Sequence, residues 1–445
     1  MSRFPLALLA CLPLLALTPA AAQRGCNEDD AGPSRSGHYA SMLETSNVDP
    51  RAQVIELVNK AMQRSQSIGA ITLLAQAARA DWEEARDSGK PRLSIDSSAN
   101  HMGSINNGIA DRRGLQGRVG VTATAPIFDF GRVAQTMAWR NQLAESARQG
   151  MLSSEQQLAL NTVSLTLDRS RYVLQAQVYG QYVRKMACLV EALEVITKAD
   201  RGRASELVQA QKSQQQAEMA VEQTMSALRQ TEIRLKRFVG EPLPPSASYS
   251  NLLTAIPELG EIQRDARSAA DIIQLEAQAR AQSSYADLVA ANNKPIVSAT
   301  VNAGALAGLS KGQEWSAGVN VSIPILSPGA DAGIDAARKR AAAARMQRDD
   351  AIESRIFRAT DMYESAISAF DRARRIVEIL RNSDRVRAST LQQWQQLGRR
   401  SLFDVMGSEA EYYSLRVAHV NAIYDGQQAV ALLWSLGRGV MTPLR

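Results

Sequence analysis

Two pairs of segments in this chain alternate residue by residue between apolar and polar, and each pair is set between long stretches with a helical period. In the first pair, Leu93 and Ile95 alternate with Ser94, Asp96 and Ser98, and Val119, Val121, Ala123 and Ala125 alternate with Gly120, Thr122 and Thr124. In the second, Val297, Ala299, Val301, Ala303 and Ala305 alternate with Ser298, Thr300, Asn302 and Gly304. The answering run sets Trp315, Ala317, Val319, Val321 and Ile323 against Ser316, Gly318, Asn320 and Ser322. A period of two places one set of side chains on each face of an extended strand. The runs are about nine to eleven residues, the length a tilted strand needs to cross a bilayer.

Ordinary half-buried hairpins on a soluble domain share this alternation, so the surroundings decide. These are the only strand signals in the chain, and the first 22 residues read as a secretory leader: Arg3, an apolar core from Leu6 to Leu17, then Ala20, Ala21 and Ala22. That core is too short to span a bilayer, and no later segment offers eighteen uninterrupted apolar residues. Four strands cannot close into a barrel, and an open sheet edge cannot sit in hydrocarbon, so several copies must combine. Residues 100–117, with Asn106, Asn107, Gly108, Asp111, Arg112 and Arg113, read as a polar loop.

The stretches between the hairpins are helical. Val54, Leu57, Val58, Ala61, Ile68, Ile71, Leu74, Ala78 and Trp82 recur at three- and four-residue steps and predict one helix from Ala52 to Asp87. Beyond each hairpin lies a run without proline, from Arg132 to Asp200 and from Gly333 to Leu397; the first would reach roughly 100 Å as a helix. Each turns at a glycine, Gly202 or Gly398, and returns as a shorter helix. A break from Gly240 through Pro257 precedes a further helix over Ile262–Ala291.

The layout is duplicated. Glu206 and Asp404 lie 198 positions apart, as do Pro126 and Pro324. The divisions are therefore 1–22 leader, 23–50 flexible segment, 51–240 first repeat with its hairpin at 91–126, 241–260 linker, 261–439 second repeat with its hairpin at 295–324, and 440–445 tail. The expected fold class is mainly α with a small β part.

An aromatic content of 5% suits long helices packed through small residues. The net charge of +6 has no dense Lys/Arg run beside aromatics, which argues against nucleic acid as a partner. Cys26 and Cys188 remain after the leader; Cys26 follows a poor acylation motif, and spacing alone does not pair the two. There is no Walker A loop, no GxSxG, no HExxH and no paired Cys motif, and His38, His101 and His419 are far apart, so neither an enzyme nor a cofactor or metal site is expected. A structural envelope coiled coil would explain the helices but leaves both hairpins without purpose.

The PIFDFGR exit after the second strand, the stretch GRRSLFDVMGSEAEYYSLRVAHVNAIYD and the following LLWSLGRG resemble the outer membrane efflux (TolC-like) proteins over nearly all of the mature sequence. The last stretch is most similar to members serving type I secretion of proteins or adhesins; the alternative is small-molecule (drug or metal) efflux. The resemblance implies a homotrimer with twelve strands in an outer-membrane β-barrel and twelve helices in a periplasmic tunnel packed knobs-into-holes. It further implies an equatorial belt near Pro242–Pro257, and as partners a periplasmic adaptor, an inner-membrane ABC or other transporter, and outer-membrane lipid. Carried over by residue, Asp404 stands at an acidic ring of the periplasmic entrance and Arg400 at a latch position, with Glu206 as acidic counterpart and Arg399 and Arg203 beside them. Gly407 replaces a second ring aspartate, Gln395 replaces a tyrosine of the latch, and Glu409 is a possible secondary entrance acid. Read without the resemblance, Asp404 is a solvated acid at a helix N-terminus.

Overall fold

The computed structural model describes residues 48–106, 109–247, 249–394 and 401–445. The leader, the segment to 47 with Cys26 and His38, and Gln395, Arg399 and Arg400 lie outside them. The described elements are helices α1 (Pro50–Arg64) and α2 (Gln66–Asp87), strands β1 (Arg92–Asn106) and β2 (Ile109–Phe128), and helices α3 (Arg132–Ala199), α4 (Ala204–Val239), α5 (Leu259–Ala266) and α6 (Ala270–Ala291). Strands β3 (Ile296–Gly308) and β4 (Gly312–Ser322) and helices α7 (Ala330–Gln392) and α8 (Leu402–Leu436) complete the second repeat. The fold is mainly α with one small sheet.

The single helix expected over Ala52–Asp87 is two. Ser65 adopts an extended backbone, its N–H still donating to the Ala61 carbonyl while its Oγ accepts from the Ile68 N–H at 3.2 Å, so one residue closes α1 and caps α2. The helix expected over Ile262–Ala291 is likewise divided, with Ala269 extended between α5 and α6. The long helices fall where the proline-free runs placed them: α3 has 68 residues and α7 has 63.

The four strands form one antiparallel sheet in the order β1-β2-β3-β4. Register carries the design. Ile95 faces Val121, Val121 faces Ala303, and Ala303 faces Trp315, so the apolar face is continuous across all four strands. A slip of one residue would turn a whole strand's apolar set to the wet side. The β2–β3 pairing joins the two repeats. Gly120 and Gly304 meet there, and a Cβ on Gly304 would stand 3.0 Å from the Val119 carbonyl oxygen.

The loop expected at 100–117 is mostly strand. β1 and β2 stay paired to Asn106 and Ile109, well past Gln116–Gly308, where β3 leaves β2. Backbone ladder bonds hold such a ribbon whatever its side chains, and a ribbon in water need show no apolar period. At its base Gln116 Nε2 donates to the Ser310 carbonyl at 3.1 Å and Gln116 Oε1 accepts from the Ser310 N–H at 2.9 Å, fixing the β3–β4 turn against β2. Gly308, at φ 125°, has room for no Cβ beside the Leu115 carbonyl.

The described residues divide into two compact units. The larger holds the sheet, α1, α2, α5, α6 and residues 48–171, 228–376 and 419–445. In it Leu57 and Ala61 of α1 pack on Leu158, Leu235 and Val239. The segment between the repeats is anchored here: Arg169 Nη1 donates to the Pro244 carbonyl at 2.7 Å, Gln53 Nε2 to the Pro245 carbonyl at 2.9 Å, and Gln427 Nε2 to the Ser250 carbonyl at 2.6 Å. The end of α8 is also satisfied, because Arg355 donates to the carbonyls of Ser435 and Leu436. The smaller unit is built from residues 172–227 and 377–418 and contains the candidate entrance residues.

Candidate functional site

In the smaller unit, α3 passes into α4 through a 3-10 turn, Arg201–Arg203. Asp200 opens the turn by accepting the Gly202 N–H at 2.9 Å. Glu206, in the first turn of α4, pairs with Arg203 at 3.5 Å, so these two predicted residues do come together. The hydrophobic floor beneath is shared by four helices: Met186, Leu189 and Leu193 of α3, Ala210 of α4, and Leu402, Val405 and Met406 of α8, with Leu391 at the end of α7 packed against it.

The start of α8 is a capping box. Ser401 Oγ accepts the Asp404 N–H at 3.3 Å, and Asp404 Oδ2 accepts the Ser401 N–H at 3.3 Å, so each satisfies a backbone donor of the other. Asp404 keeps its side chain exposed while doing so, and its charge sits at the positive end of the helix. The Ser-x-x-Asp spacing was in the sequence, and the role of Ser401 was readable from it.

Glu409 does not join this exposed acid. The buried seam of α8 runs through Leu402, Val405, Met406, Tyr413 and Val417, and Glu409 occupies a place in it, while Ala410 is exposed. The Glu409 side chain is 0% exposed, 3.4 Å from Lys185 Nζ of α3 (5% exposed) and 3.4 Å from Arg387 Nη1 of α7 (15% exposed). The Arg387 guanidinium also lies 4.1 Å over the Tyr412 ring and reaches Asp384 at 2.8 Å. Tyr182 and Tyr413 pack at 5.0 Å between ring centres beside it. Burial pushes the Glu409 carboxyl above the usual carboxylate range, with Lys185 and Arg387 drawing it partly back. One buried carboxylate thus ties three helices together. Lys185 and Arg387 carried no local signal, since their partner is more than twenty residues away in one case and on the other repeat in the other.

Gly407 has nothing within 4 Å of the place a Cβ would take, so the missing second acid leaves open space. Cys188 is disulfide-bonded. Among the described residues no group of His, Cys, Asp and Glu is placed to hold a metal, and no helix is long and apolar enough to cross a membrane. His419 Nδ1 stands 3.2 Å from the Ala373 carbonyl, a satisfied structural contact.

Residues 57–241 match the model of the outer membrane efflux protein family. A search of curated protein sequences finds no match. Among solved structures, a membrane protein from Pseudomonas aeruginosa superposes with a TM-score of 0.81 at 17% identity, covering 88% of this chain and 95% of that one. CusC, described by its transmembrane channel formation, gives 0.79 at 17% identity, covering 89% and 96%. The open state of the Neisseria gonorrhoeae MtrE outer membrane channel gives 0.76 at 16% identity, covering 87% and 88%. At these identities the structures speak for the fold: a helical barrel with strands contributed to a trimeric β-barrel. The family model thus covers the first repeat, and the fold of the whole described chain is similar to that of these outer membrane channels.

Proposed function

We propose that this chain is the exit duct of a tripartite export system, passively conducting substrate handed over by an inner-membrane transporter and a periplasmic adaptor. The observation that carries the reading is the sheet. Its apolar face is continuous in register over four strands, and β1 and β4 are its edges among the described residues. Leu93, Ile95, Val119, Trp315, Val319 and Val321 on that face are exposed. Exposed apolar strands with free edges need both lipid and further strands, and three copies supply a closed wall of twelve. Detergent-extracted protein should run as a trimer that dissociates on heating and should conduct in a planar bilayer. A monomer without conductance would remove the reading.

The entrance lies where α3 passes into α4 and α8 begins, with Asp404 and Glu206 as its acids, Arg203 beside Glu206, and Arg399 and Arg400 just before α8. Three copies of an exposed Asp404 near a pore axis attract cations and repel one another. Asp404→Asn should change single-channel conductance or block by divalent cations; unchanged traces would leave Asp404 with its capping role alone.

For the cargo, the likeness of the α8 stretch to type I secretion components supports protein export. The match to an efflux family supports small-molecule extrusion as the second reading. In a strain lacking its own duct, restored secretion of a type I substrate without restored drug resistance favours the first, and the reverse pattern favours the second.

A further inference from the structure

The face of the sheet opposite the apolar one is wet. It carries Ser94 and Asp96 of β1, Thr122 of β2, Asn302 of β3, and Ser316 and Asn320 of β4 in matching register. The charged side chains described on this face are Arg92 and Asp96 of β1, Arg118 of β2 and Glu314 of β4.

Two of these charges meet although their strands do not. Arg118 is on β2 and Glu314 is on β4, yet Arg118 Nε lies 2.7 Å from Glu314 Oε1. The strands on either side of β3 are about 10 Å apart, twice the spacing of neighbours, so the pair must lie flat across β3. Register explains how it can. Gly304 of β3 stands directly opposite Glu314 and opposite Gly120, and with no side chain at either glycine the path across the sheet is clear.

In a closed barrel the apolar face meets lipid and the wet face lines the lumen. This part of the argument rests on the trimeric duct described above. Each lumen then holds three Arg118–Glu314 pairs beside three Asp96 carboxylates and three Arg92 guanidinium groups. A paired arginine held against the wall offers a passing ion almost no net charge, whereas an unpaired one would form a positive ring, and charged rings bias conduction.

We propose that the Arg118–Glu314 pair is a charge-balancing selectivity element of the barrel lumen, which silences Arg118 towards the ions that pass. The test is the reversal potential of the purified trimer in a planar bilayer under a potassium chloride gradient. Glu314→Gln should shift the potassium to chloride permeability ratio towards chloride, Arg118→Gln should shift it towards potassium, and the two together should return it near the parent value. Both sites are about half exposed, and trimer formation is checked by heat-modifiable mobility. A charge-swapped chain, R118E with E314R, provides a second route and should also keep the parent ratio. Single variants that leave the ratio unchanged, shift it in the same direction, or fail to cancel would overturn the proposal. Absence of any conductance in the parent protein would instead overturn the duct itself.

Discussion

The turn into α4 and the start of α8 are written with the same vocabulary, and they are wired differently. Each has a glycine, basic residues, a serine and an acid. In the first, Ser205 directly precedes Glu206, too close for a capping box, and the acid turns to Arg203 instead. In the second, Ser401 and Asp404 are three apart, and the two close the helix end on each other. The helices diverge again further on. Ala210 fills the seam of α4, whereas the seam of α8 contains Glu409, held between Lys185 and Arg387. The two returns share an outline in sequence and differ in what holds each in place. The second return carries a buried charge and the first does not, so a small disturbance of charge should be felt far more in α8 than in α4.

The largest effect should come from Lys185→Met. Removing one cation from a carboxylate with no exposure should destabilise the packing of α8 by about 3 kcal/mol, the scale for breaking a buried pair from one side. Hydrogen exchange of residues 402–418 in the intact trimer would report it, with α4 much less affected. The loss should depend on pH. Because burial already raises the Glu409 carboxyl above its ordinary value of 4.5, the folded protein binds that proton more readily than the unfolded chain, and stability falls as pH rises through the raised value. The variant should therefore be weakest in alkaline buffer and partly recover in acid; equal exchange at both ends of the range would show that Glu409 is not the group responsible.

Ser401→Ala comes next. It removes one half of the capping box and should cost about 1 kcal/mol, seen as faster exchange confined to the first turn of α8. Loss spread along the helix would mean that the seam, and not the cap, sets its stability. The smallest effect belongs to Glu206→Gln. Its ion pair with Arg203 is partly buried but long at 3.5 Å, so less than about 1 kcal/mol is expected, measurable as a slight fraying at the start of α4. A Glu206 effect as large as that of Lys185 would erase the contrast between the two returns.

Much of this architecture was legible in the sequence because two periods dominate it. Alternation at Val119–Ala125 and Trp315–Ile323 marked strands, and the long proline-free runs marked α3 and α7. What escaped had no period to show. The ribbon beyond Gln116 has no sustained alternation in sequence, and the division of the first helix depends on a single serine that can be read as interior or as cap. Glu409, expected as a possible secondary entrance acid, is buried in the seam of α8. Its two cations come from α3 and α7, and only packing reveals that meeting.

The union of β2 with β3 has a consequence for how such a chain is made. Val119 must wait for Ala305, which leaves the ribosome long after it, and until then the second strand has a bare flank. Neither repeat carries a complete share of the membrane wall. On the proposed reading, a truncated product that ends between the hairpins would therefore have no complete share of wall to insert.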